Sequence, residues 1–249
     1  ELLALAPEAA EVIFGGKRPR DQAIAQDELN RLLAEKAGAG KTVVRLKGGD
    51  PYIFGRGGEE AAGLHRDGVP FEVVPGISSI IAAPSYAGIP LTHREHCSSF
   101  TVITGHEDPD KEESALDWER IASEPGTKVF LMGVERIGKI AAALEANGLD
   151  AGTPVAMVRW GTMGRQKTIT GTIATIADEV AKTDFKAPAV TIIGGVSTLR
   201  DSLNWFENRP LFGQRVVVTR TRSQASMLSG QLKDLGADVL EIPTIKIVP

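Results

Sequence analysis

Short apolar runs rich in β-branched residues alternate along the chain with segments of helical periodicity. In the segment 26–37, Leu29, Leu32 and Leu33 fall at positions i, i+3 and i+4 among charged residues. This spacing predicts an amphipathic helix, and the glycines that follow it are typical of a helix end. The alternation of such helices with short apolar strands is typical of βα units that form mainly parallel sheets. The pattern therefore predicts an α/β protein.

The same pattern places the other elements along the chain. Predicted helices are 26–37, 56–65, 78–86, 135–146 and 173–181. Predicted strands are 42–46, 71–74, 100–103, 128–131, 154–158 and 189–193, and the run 11–14 is also strand-like. No internal repeat accompanies this alternation.

Each of the six predicted strands runs into a turn of small residues. These turns contain Gly48-Gly49-Asp50, Pro75-Gly76, Thr104-Gly105, Met132-Gly133, Gly161-Thr162 and Gly194-Gly195. In open α/β sheets, ligands bind at the carboxyl ends of strands, where a missing side chain lets the backbone approach them. The turns are therefore the candidate ligand site, although glycine also marks ordinary turns.

Length and composition narrow the class of protein. A chain of 249 residues corresponds to one or two domains at about 150 residues each. The single cysteine, Cys97, excludes an intrachain disulfide and a cysteine-cluster metal site, and the histidines lack zinc-type spacing. We therefore expect no metal, a reducing compartment and a cytoplasmic protein.

The ends and the apolar stretches of the chain also bear on its setting. The longest apolar stretches fall well short of the ~20 residues of a membrane helix, so no membrane partner is expected. The first residues, Glu-Leu-Leu-Ala-Leu-Ala-Pro, show neither a signal-peptide pattern nor an initiator Met. We therefore expect the chain to start inside a longer protein.

The charge of the chain bears on the kinds of partner that it binds. The formal net charge is −4, which argues against a nucleic-acid partner, because such domains are strongly basic. Within 41–58, however, Lys41, Arg45, Lys47 and Arg56 stand against Asp50 alone. This local excess of positive charge indicates either a solvated surface or a cleft that attracts an anionic ligand.

Several ordered motifs resemble those of one enzyme family. They are Val-Val-Arg-Leu-Lys-Gly-Gly-Asp-Pro-Tyr-Ile-Phe-Gly-Arg-Gly-Gly-Glu-Glu (43–60), Val-Val-Pro-Gly-Ile-Ser-Ser (73–79), Ala-Gly-Ile-Pro-Leu-Thr-His-Arg (87–94), Thr-Gly-His (104–106), Leu-Met-Gly-Val (131–134) and Trp-Gly-Thr (160–162). In order and spacing they resemble the S-adenosylmethionine-dependent tetrapyrrole methyltransferases, specifically the uroporphyrinogen-III C-methyltransferases. The resemblance extends from residue 1 to about 208. After Pro210 the sequence resembles the opening of a uroporphyrinogen-III synthase.

The resemblance implies an architecture. It implies the tetrapyrrole methyltransferase fold, with two α/β domains at 1–92 and 97–208, a cleft between them, and a homodimer as the working form. Residues 211–249 then form an incomplete α/β segment, which we expect to be dispensable for the thermal stability of the rest. Members of the family begin with a strand and a Gly-Pro-Gly-Asp-Pro loop ahead of the region matched here. That loop holds the family's proton acceptor, so no residue of this sequence is assigned that role.

The resemblance also assigns functional residues. Lys17 matches the family's proton donor, a role that needs a lowered pKa. Arg56, His93 and Arg94 are candidates to hold the acetate and propionate groups of a tetrapyrrole macrocycle, since a guanidinium binds carboxylates bidentately. The positions that match contacts to S-adenosylmethionine are Gly48, Gly49, Asp50, Ile53, Ser78, Ser79, Met132 and Gly161.

Each assignment has a structural alternative. Asp50 is also suited to an Asx turn, Ser78 or Ser79 to a helix N-cap, and Met132 to filling a gap in a core. Lys17 is also an ordinary solvated lysine. Capping by a serine is compatible with contact to the cofactor, and so is a place for Ile53 in the core.

The function implied by the resemblance is transfer of methyl groups from S-adenosylmethionine to carbons of uroporphyrinogen III. The product would be precorrin-2, on the route to sirohaem and cobalamin. Such a transfer depends on alignment and on exclusion of water, since a methyl sulfonium is already activated. Two alternatives stay open: methylation of a later corrinoid, and a non-catalytic remnant of a methyltransferase–synthase fusion.

Overall fold

A computed structural model describes residues 2–15, 24–105, 116–219, 222–242 and 244. The chain divides into two compact units, Glu1–Gly76 and Ile77–Pro249. This boundary falls earlier in the chain than the expected one at 92, because Ile80, Ala83 and Ala87 are buried with the core of the second unit. The segment 77–92 thus belongs with the sheet that follows it.

Two helices dominate the described part of the first unit. They are α1 (Gln26–Gly38) and α2 (Gly57–Arg66), and a short 3-10 turn, Leu2–Leu5, precedes them. Helix α1 buries Leu29 and Leu33, which confirms the amphipathic pattern. Helix α2 buries Glu60 and Ala61, so a charged side chain forms part of the interior of this unit.

The predicted strands of the first unit are absent from its described residues. Segments 42–46 and 71–74 carry no strand pairing there, and neither does 11–14. Val44 is 82% exposed and Val74 76% exposed. A β-branched run favours extended backbone, but a strand also needs a neighbour to complete its hydrogen bonds. The prediction of strands at 42–46 and 71–74 is therefore wrong for this structure.

The second unit is built on a five-stranded sheet. Its strands are β1 (Phe100–Thr104), β2 (Thr127–Leu131), β3 (Pro154–Arg159), β4 (Lys167–Thr172) and β5 (Ala189–Ile193). The spatial order is β1-β2-β5-β3-β4. Only the β1–β2 pair is parallel; β5 runs antiparallel to both β2 and β3, and β4 antiparallel to β3. The expectation of a mainly parallel sheet is therefore corrected to a mixed one.

Both faces of this sheet are buried. Phe130 and Met157 point into one core and the adjacent Val129 and Ala156 into the other. Because successive strand residues point to opposite faces, burial on both sides explains the continuous apolar runs. The surrounding helices are α3 (Ser79–Tyr86), α4 (Trp118–Ser123), α5 (Ile137–Ala146), α6 (Ile176–Lys182) and α7 (Arg200–Leu203), with 3-10 turns at Val134–Arg136 and Gly195–Leu199.

Residues after Pro210 form a small βαβ segment. It consists of β6 (Arg215–Val218), α8 (Arg222–Asp234) and β7 (Asp238–Glu241), and its two strands are parallel. Its backbone is tied to the larger sheet domain, since the Gly213 amide donates to the Gly164 carbonyl at 2.9 Å. This contact argues against the expectation that the segment is dispensable for stability. No helix among the described residues is both long and apolar enough to cross a membrane.

Candidate functional site at the strand ends

Three strands of the second unit end at one edge of the sheet. Strands β1, β2 and β3 run in the same direction, so the turns at Gly105, Gly133 and Gly161 follow at the same edge. A Cβ added to Gly105 would lie 2.5 Å from Gly133 Cα. Since no side chain fits at that separation, two of these turns meet backbone to backbone.

The turn at Gly194-Gly195 does not belong to this edge. Strand β5 runs antiparallel to β2 and β3, which places its carboxyl end at the opposite edge. That opposite edge holds a cavity of about 290 Å³ lined in part by His96, Lys128 and Gly195. The sequence pattern predicted six turns of one kind, whereas strand direction separates this one from the rest.

Part of the backbone strain of the chain lies at the shared edge. Met132, Trp160 and Thr162 have left-handed backbone, with φ of 56°, 51° and 74°. Such a conformation costs a non-glycine residue about 1–3 kcal/mol and persists where its surroundings hold it, often at ligand sites. Met132 is also 52% exposed, so its thioether does not fill a gap in the core.

Helix α3 packs directly on the turn after β3. A Cβ on Gly161 would lie 2.6 Å from Ala83 Cβ and 2.8 Å from Ala83 Cα. Ser78 is buried and caps this helix, its hydroxyl accepting from the Ile80 amide at 3.4 Å, while Ser79 is exposed. The N-cap alternative is thus confirmed for Ser78, and Ser79 presents its side chain to solvent.

A buried glutamine holds the turn after β3 and went unnoticed in the sequence. Gln166 is 4% exposed, and its Oε1 accepts from the Thr162 amide at 2.9 Å. Its Nε2 donates to Glu207 Oε1 at 2.8 Å and to the Tyr86 carbonyl at 3.3 Å. A polar residue in a loop carries no periodic signal, so only the structure could find it.

Two arginines flank the aromatic residue of the same turn. The guanidinium carbons of Arg159 and Arg165 lie 3.8 Å and 4.8 Å from the centre of the Trp160 ring. Arg159 Nε is buried without a hydrogen-bond partner among the described residues. This edge therefore presents fixed positive charge, which the sequence motifs did not single out.

In the first unit, Asp50 joins two of the predicted turns. Its Oδ1 accepts from the Tyr52 amide at 2.9 Å and its Oδ2 from the Gly76 amide at 3.1 Å. A Cβ on Gly76 would lie 2.1 Å from the Gly49 carbonyl oxygen. The Asx-turn alternative for Asp50 is confirmed, yet each carboxylate oxygen has a lone pair to spare for another donor.

The turn around Asp50 is open to solvent. Gly48 and Gly49 are exposed, and nothing lies within 4 Å of a Cβ built on Gly48. Ile53 is 36% exposed, and its amide donates to the Asp50 carbonyl at 3.3 Å. These residues can contact a ligand through backbone groups and one aliphatic side chain.

The positive run at 41–58 is neutralised within its own unit. Lys47 lies 2.8 Å and Arg45 3.3 Å from the Glu60 carboxylate, which is buried. Lys41 pairs with Glu11 at 3.2 Å. Burial acts to raise the pKa of Glu60, but hydrogen bonds from Lys47 and Gln26 and the nearby charges outweigh it and lower the pKa. The geometry therefore favours a structural ion-pair cluster over a cleft for anions.

The predicted substrate residues stand in different settings. Arg56 is exposed, has a φ of 58° and pairs with Glu59 at 2.6 Å. The His93 amide and carbonyl bond to Cys97, and its Nδ1 accepts from the Glu95 amide at 3.3 Å. Arg94 is exposed. Lys17, like His106 of the Thr-Gly-His motif, lies outside the described residues.

Comparison with known families decides what this arrangement belongs to. A family model for the tetrapyrrole (corrin/porphyrin) methylases matches residues 1–177. The chain belongs to the tetrapyrrole methylase family. The resemblance drawn from the motifs is thereby confirmed, and so is the α/β fold of tetrapyrrole methyltransferases.

Individual members of the tetrapyrrole methylase family are similar over different lengths. An S-adenosyl-L-methionine-dependent uroporphyrinogen III methyltransferase of Methanosarcina barkeri is 53% identical over 197 residues, 79% of this chain and 77% of that protein. A uroporphyrinogen-III C-methyltransferase of Bacillus subtilis is 44% identical over 243 residues, 98% of this chain and 50% of that protein. Some relatives match this chain over almost its whole length, and the chain then spans about half the length of those relatives.

A solved structure of a tetrapyrrole methylase is also similar. The uroporphyrin-III C-methyltransferase of Thermus thermophilus, crystallised with S-adenyl homocysteine, is 38% identical with a TM-score of 0.61. The match covers 70% of this chain and 75% of that one. The mixed sheet of the second unit is therefore the fold of this family and not a departure from it.

Proposed function

We propose that the chain transfers methyl groups from S-adenosylmethionine to carbons of uroporphyrinogen III, which gives precorrin-2 for sirohaem and cobalamin. The observation that carries this proposal is the strained edge of the second unit. Met132, Trp160 and Thr162 are left-handed there, and the family motifs place cofactor contacts at Met132 and at Gly161, which lies between Trp160 and Thr162. Relatives named for this activity, including the one from Methanosarcina barkeri, support the choice of substrate.

Residues of each unit fit the cofactor. In the second unit the exposed thioether of Met132, the backbone of Gly161 and the first turn of α3 with Ser78 and Ser79 provide apolar and polar contacts. In the first unit Gly48, Gly49 and Ile53 are open to solvent, and Asp50 keeps acceptor capacity for hydroxyl or amine donors. When bound, S-adenosylmethionine supplies the methyl group as an activated sulfonium.

The remaining residues would bind the substrate and move a proton. Arg94 is exposed, and no described carboxylate lies within 4.0 Å of its guanidinium, so it is available to a carboxylate of the macrocycle. Arg56 would have to exchange Glu59 for such a carboxylate, and His93 would offer its ring. Lys17 is proposed as proton donor on the motif alone. The protein's task is to align the reacting atoms and exclude water.

The wider setting is part of the same proposal. We propose a cytoplasmic homodimer whose partners are small molecules, and a synthase-like role for the region that begins at 211. The resemblance of 211–249 to a uroporphyrinogen-III synthase supports the second point. Sedimentation of the chain at micromolar concentration tests the dimer, and a monomer alone would contradict it.

Two measurements test the proposed function. Calorimetric titration with S-adenosylhomocysteine should show saturable binding, and methyl-labelled S-adenosylmethionine should label uroporphyrinogen III. Met132→Ala should weaken binding of S-adenosylhomocysteine about tenfold, since apolar contact with the ligand is lost. Met227→Ala is the matched control, because Met227 lies on α8 and is highly exposed. Absence of binding would contradict the proposal, and binding without transfer would favour a non-catalytic remnant.

A further inference from the structure

The C-terminal βαβ segment lies directly on the turn that follows β3. Residues 160–166 are called the glycine turn below. Gly164 is buried, and a Cβ built on it would lie 2.3 Å from the Ala237 carbonyl carbon and 2.4 Å from the Asp238 nitrogen. The Gly164 carbonyl accepts from the Gly213 amide at 2.9 Å. The contact is thus backbone against backbone, and a residue larger than glycine does not fit it.

A second contact fixes the segment beside the first. The rings of Phe206 and Phe212 meet edge to face with centroids 5.6 Å apart. A Cβ on Gly236 would lie 2.8 Å from Arg209 Cβ. The segment therefore contacts the rest of the second unit at two places, in addition to the covalent connection through its linker.

Hydrogen bonds connect the strained residues of the glycine turn with its surroundings. Gln166 bonds the Thr162 amide on one side and Glu207 and the Tyr86 carbonyl on the other. Glu207 forms an ion pair with Arg200, which in turn donates to the Ala87 carbonyl at 2.7 Å. The turn, the end of α3 and the stretch before the C-terminal segment are thus one hydrogen-bonded network.

We propose that the C-terminal βαβ segment positions the glycine turn, holding Trp160 and Thr162 in left-handed backbone and thereby setting the affinity of the site for S-adenosylmethionine. This inference rests on the proposed function for the identity of the ligand. Left-handed residues persist only where their surroundings over-determine them. Gly164 is the point at which the segment supplies that constraint, two residues beyond Thr162.

Substitution of Gly164 by alanine tests this coupling. The φ of Gly164 lies outside the left-handed region, so alanine is tolerated by its backbone and harmful only through Ala237 and Asp238. Gly230→Ala is the matched control, because nothing lies within 4 Å of a Cβ there. Phe212→Ala loosens the same docking from the other side without touching the turn.

Hydrogen exchange of the 249-residue chain without ligand is the first readout. Gly164→Ala and Phe212→Ala should each raise exchange of the amides in 160–166 at least tenfold, whereas Gly230→Ala should leave it unchanged. The double variant should add little to either single one, since both disrupt one contact. Unchanged exchange in both single variants would overturn the proposal, and this outcome does not depend on any cofactor.

Affinity for S-adenosylhomocysteine is the second readout. Both variants should weaken it by about fivefold to thirtyfold while the thermal midpoint shows the chain still folded. Equal affinity in wild type and both variants would overturn the positioning role. If the wild-type chain itself failed to bind, the proposed function would fall together with the effect on affinity, while the exchange experiment would still decide whether the segment holds the turn.

Discussion

The two units differ in how they use their apolar runs. In the second unit Val129 and Phe130 are completely buried, on opposite faces of one sheet. In the first unit Val44 and Val74 have most of their surface exposed, and their segments carry no strand pairing among the described residues. The second unit is thus stabilised by two apolar cores, whereas the described part of the first relies on helix packing and on ion pairs around Glu60.

This difference shows that local composition and pairing are separate requirements. A β-branched run raises the preference for extended backbone by a modest amount. Burial of apolar surface stabilises the folded state by about 25 cal/mol per Å². A run of apolar residues gains this stabilisation in full only when it lies in a sheet that is covered on both faces. The comparison therefore predicts that substitutions of apolar residues change the free energy of unfolding strongly in the second unit. The same substitutions in the exposed runs of the first unit should change it little.

The largest effect is expected from Phe130. Phe130→Ala should lower the free energy of unfolding of the second unit by about 3–5 kcal/mol, through lost burial and the cavity left behind. Its ring stacks on Trp118 with centroids 6.3 Å apart, which adds to the loss. Phe71→Ala, in an exposed residue of the first unit, is the matched control. Urea denaturation of both variants measures the difference, and equal losses would contradict the comparison.

The ion-pair cluster should dominate the stability of the first unit. Glu60→Gln removes the shared partner of Lys47 and Arg45. We expect a loss of about 2–3 kcal/mol, because the partly buried Lys47 ammonium is left without its carboxylate. Glu59→Gln is the control, since the exposed pair with Arg56 contributes at most about 1 kcal/mol. Hydrogen exchange of the α2 amides measures both variants. Equal changes of hydrogen exchange in the two variants would mean that the Glu60 cluster contributes no more than an exposed ion pair.

The same carboxylate predicts a dependence on pH. The pKa of Glu60 is lowered from its ordinary value of 4.5, so the folded state binds this proton less readily than the unfolded chain. Its stabilising contribution is complete above the unfolded value and is lost as the pH falls through the lower folded value. The stability difference between wild type and Glu60→Gln should therefore stay constant above about pH 5 and shrink below it. A difference that grows on acidification would contradict the sign.

An intermediate effect is expected from substitution of Asp50, and it concerns the affinity for the ligand. Asp50→Ala leaves the Tyr52 and Gly76 amides without their acceptor and removes a contact proposed for the cofactor. We expect affinity for S-adenosylhomocysteine to fall by roughly 1–3 kcal/mol, the usual consequence of unpaired donors. Asp67→Ala, at the end of α2, is the control, since no ligand contact is proposed there. Unchanged calorimetric affinity would remove Asp50 from the site.

The sequence indicated much of the second unit because its signals are local. Seven of the segments predicted there, such as 100–103 and 189–193, coincide with strands or helices of the structure. Strand β4 was missed since Lys167–Thr172 is a partly exposed edge strand with little apolar content. Short elements such as α4 and α7 were missed because four to six residues hold too little periodicity to be recognised.

What the sequence could not indicate depends on strand direction and on distant partners. The turns at Gly161 and Gly194 look alike along the chain, and only the antiparallel placement of β5 separates their edges. Likewise Gln166 matters through Glu207 and Tyr86, which lie 41 and 80 residues away along the chain. Family motifs supplied candidate residues for the cofactor site, whereas the positive charges at 41–58 could be interpreted only once the position of Glu60 was known.

The smallest effect is expected at Val44, and it is the strictest test of the comparison. Its side chain is 82% exposed, so Val44→Thr removes little burial and should change the free energy of unfolding by no more than about 0.5 kcal/mol. Val129→Thr, the same substitution at a residue with no exposed surface, is the matched control. There the hydroxyl enters an apolar core without a ready partner, which costs about 1–3 kcal/mol. A loss at Val44 as large as that at Val129 would mean that 42–46 is buried against a strand in solution, and the contrast between the two units would then disappear.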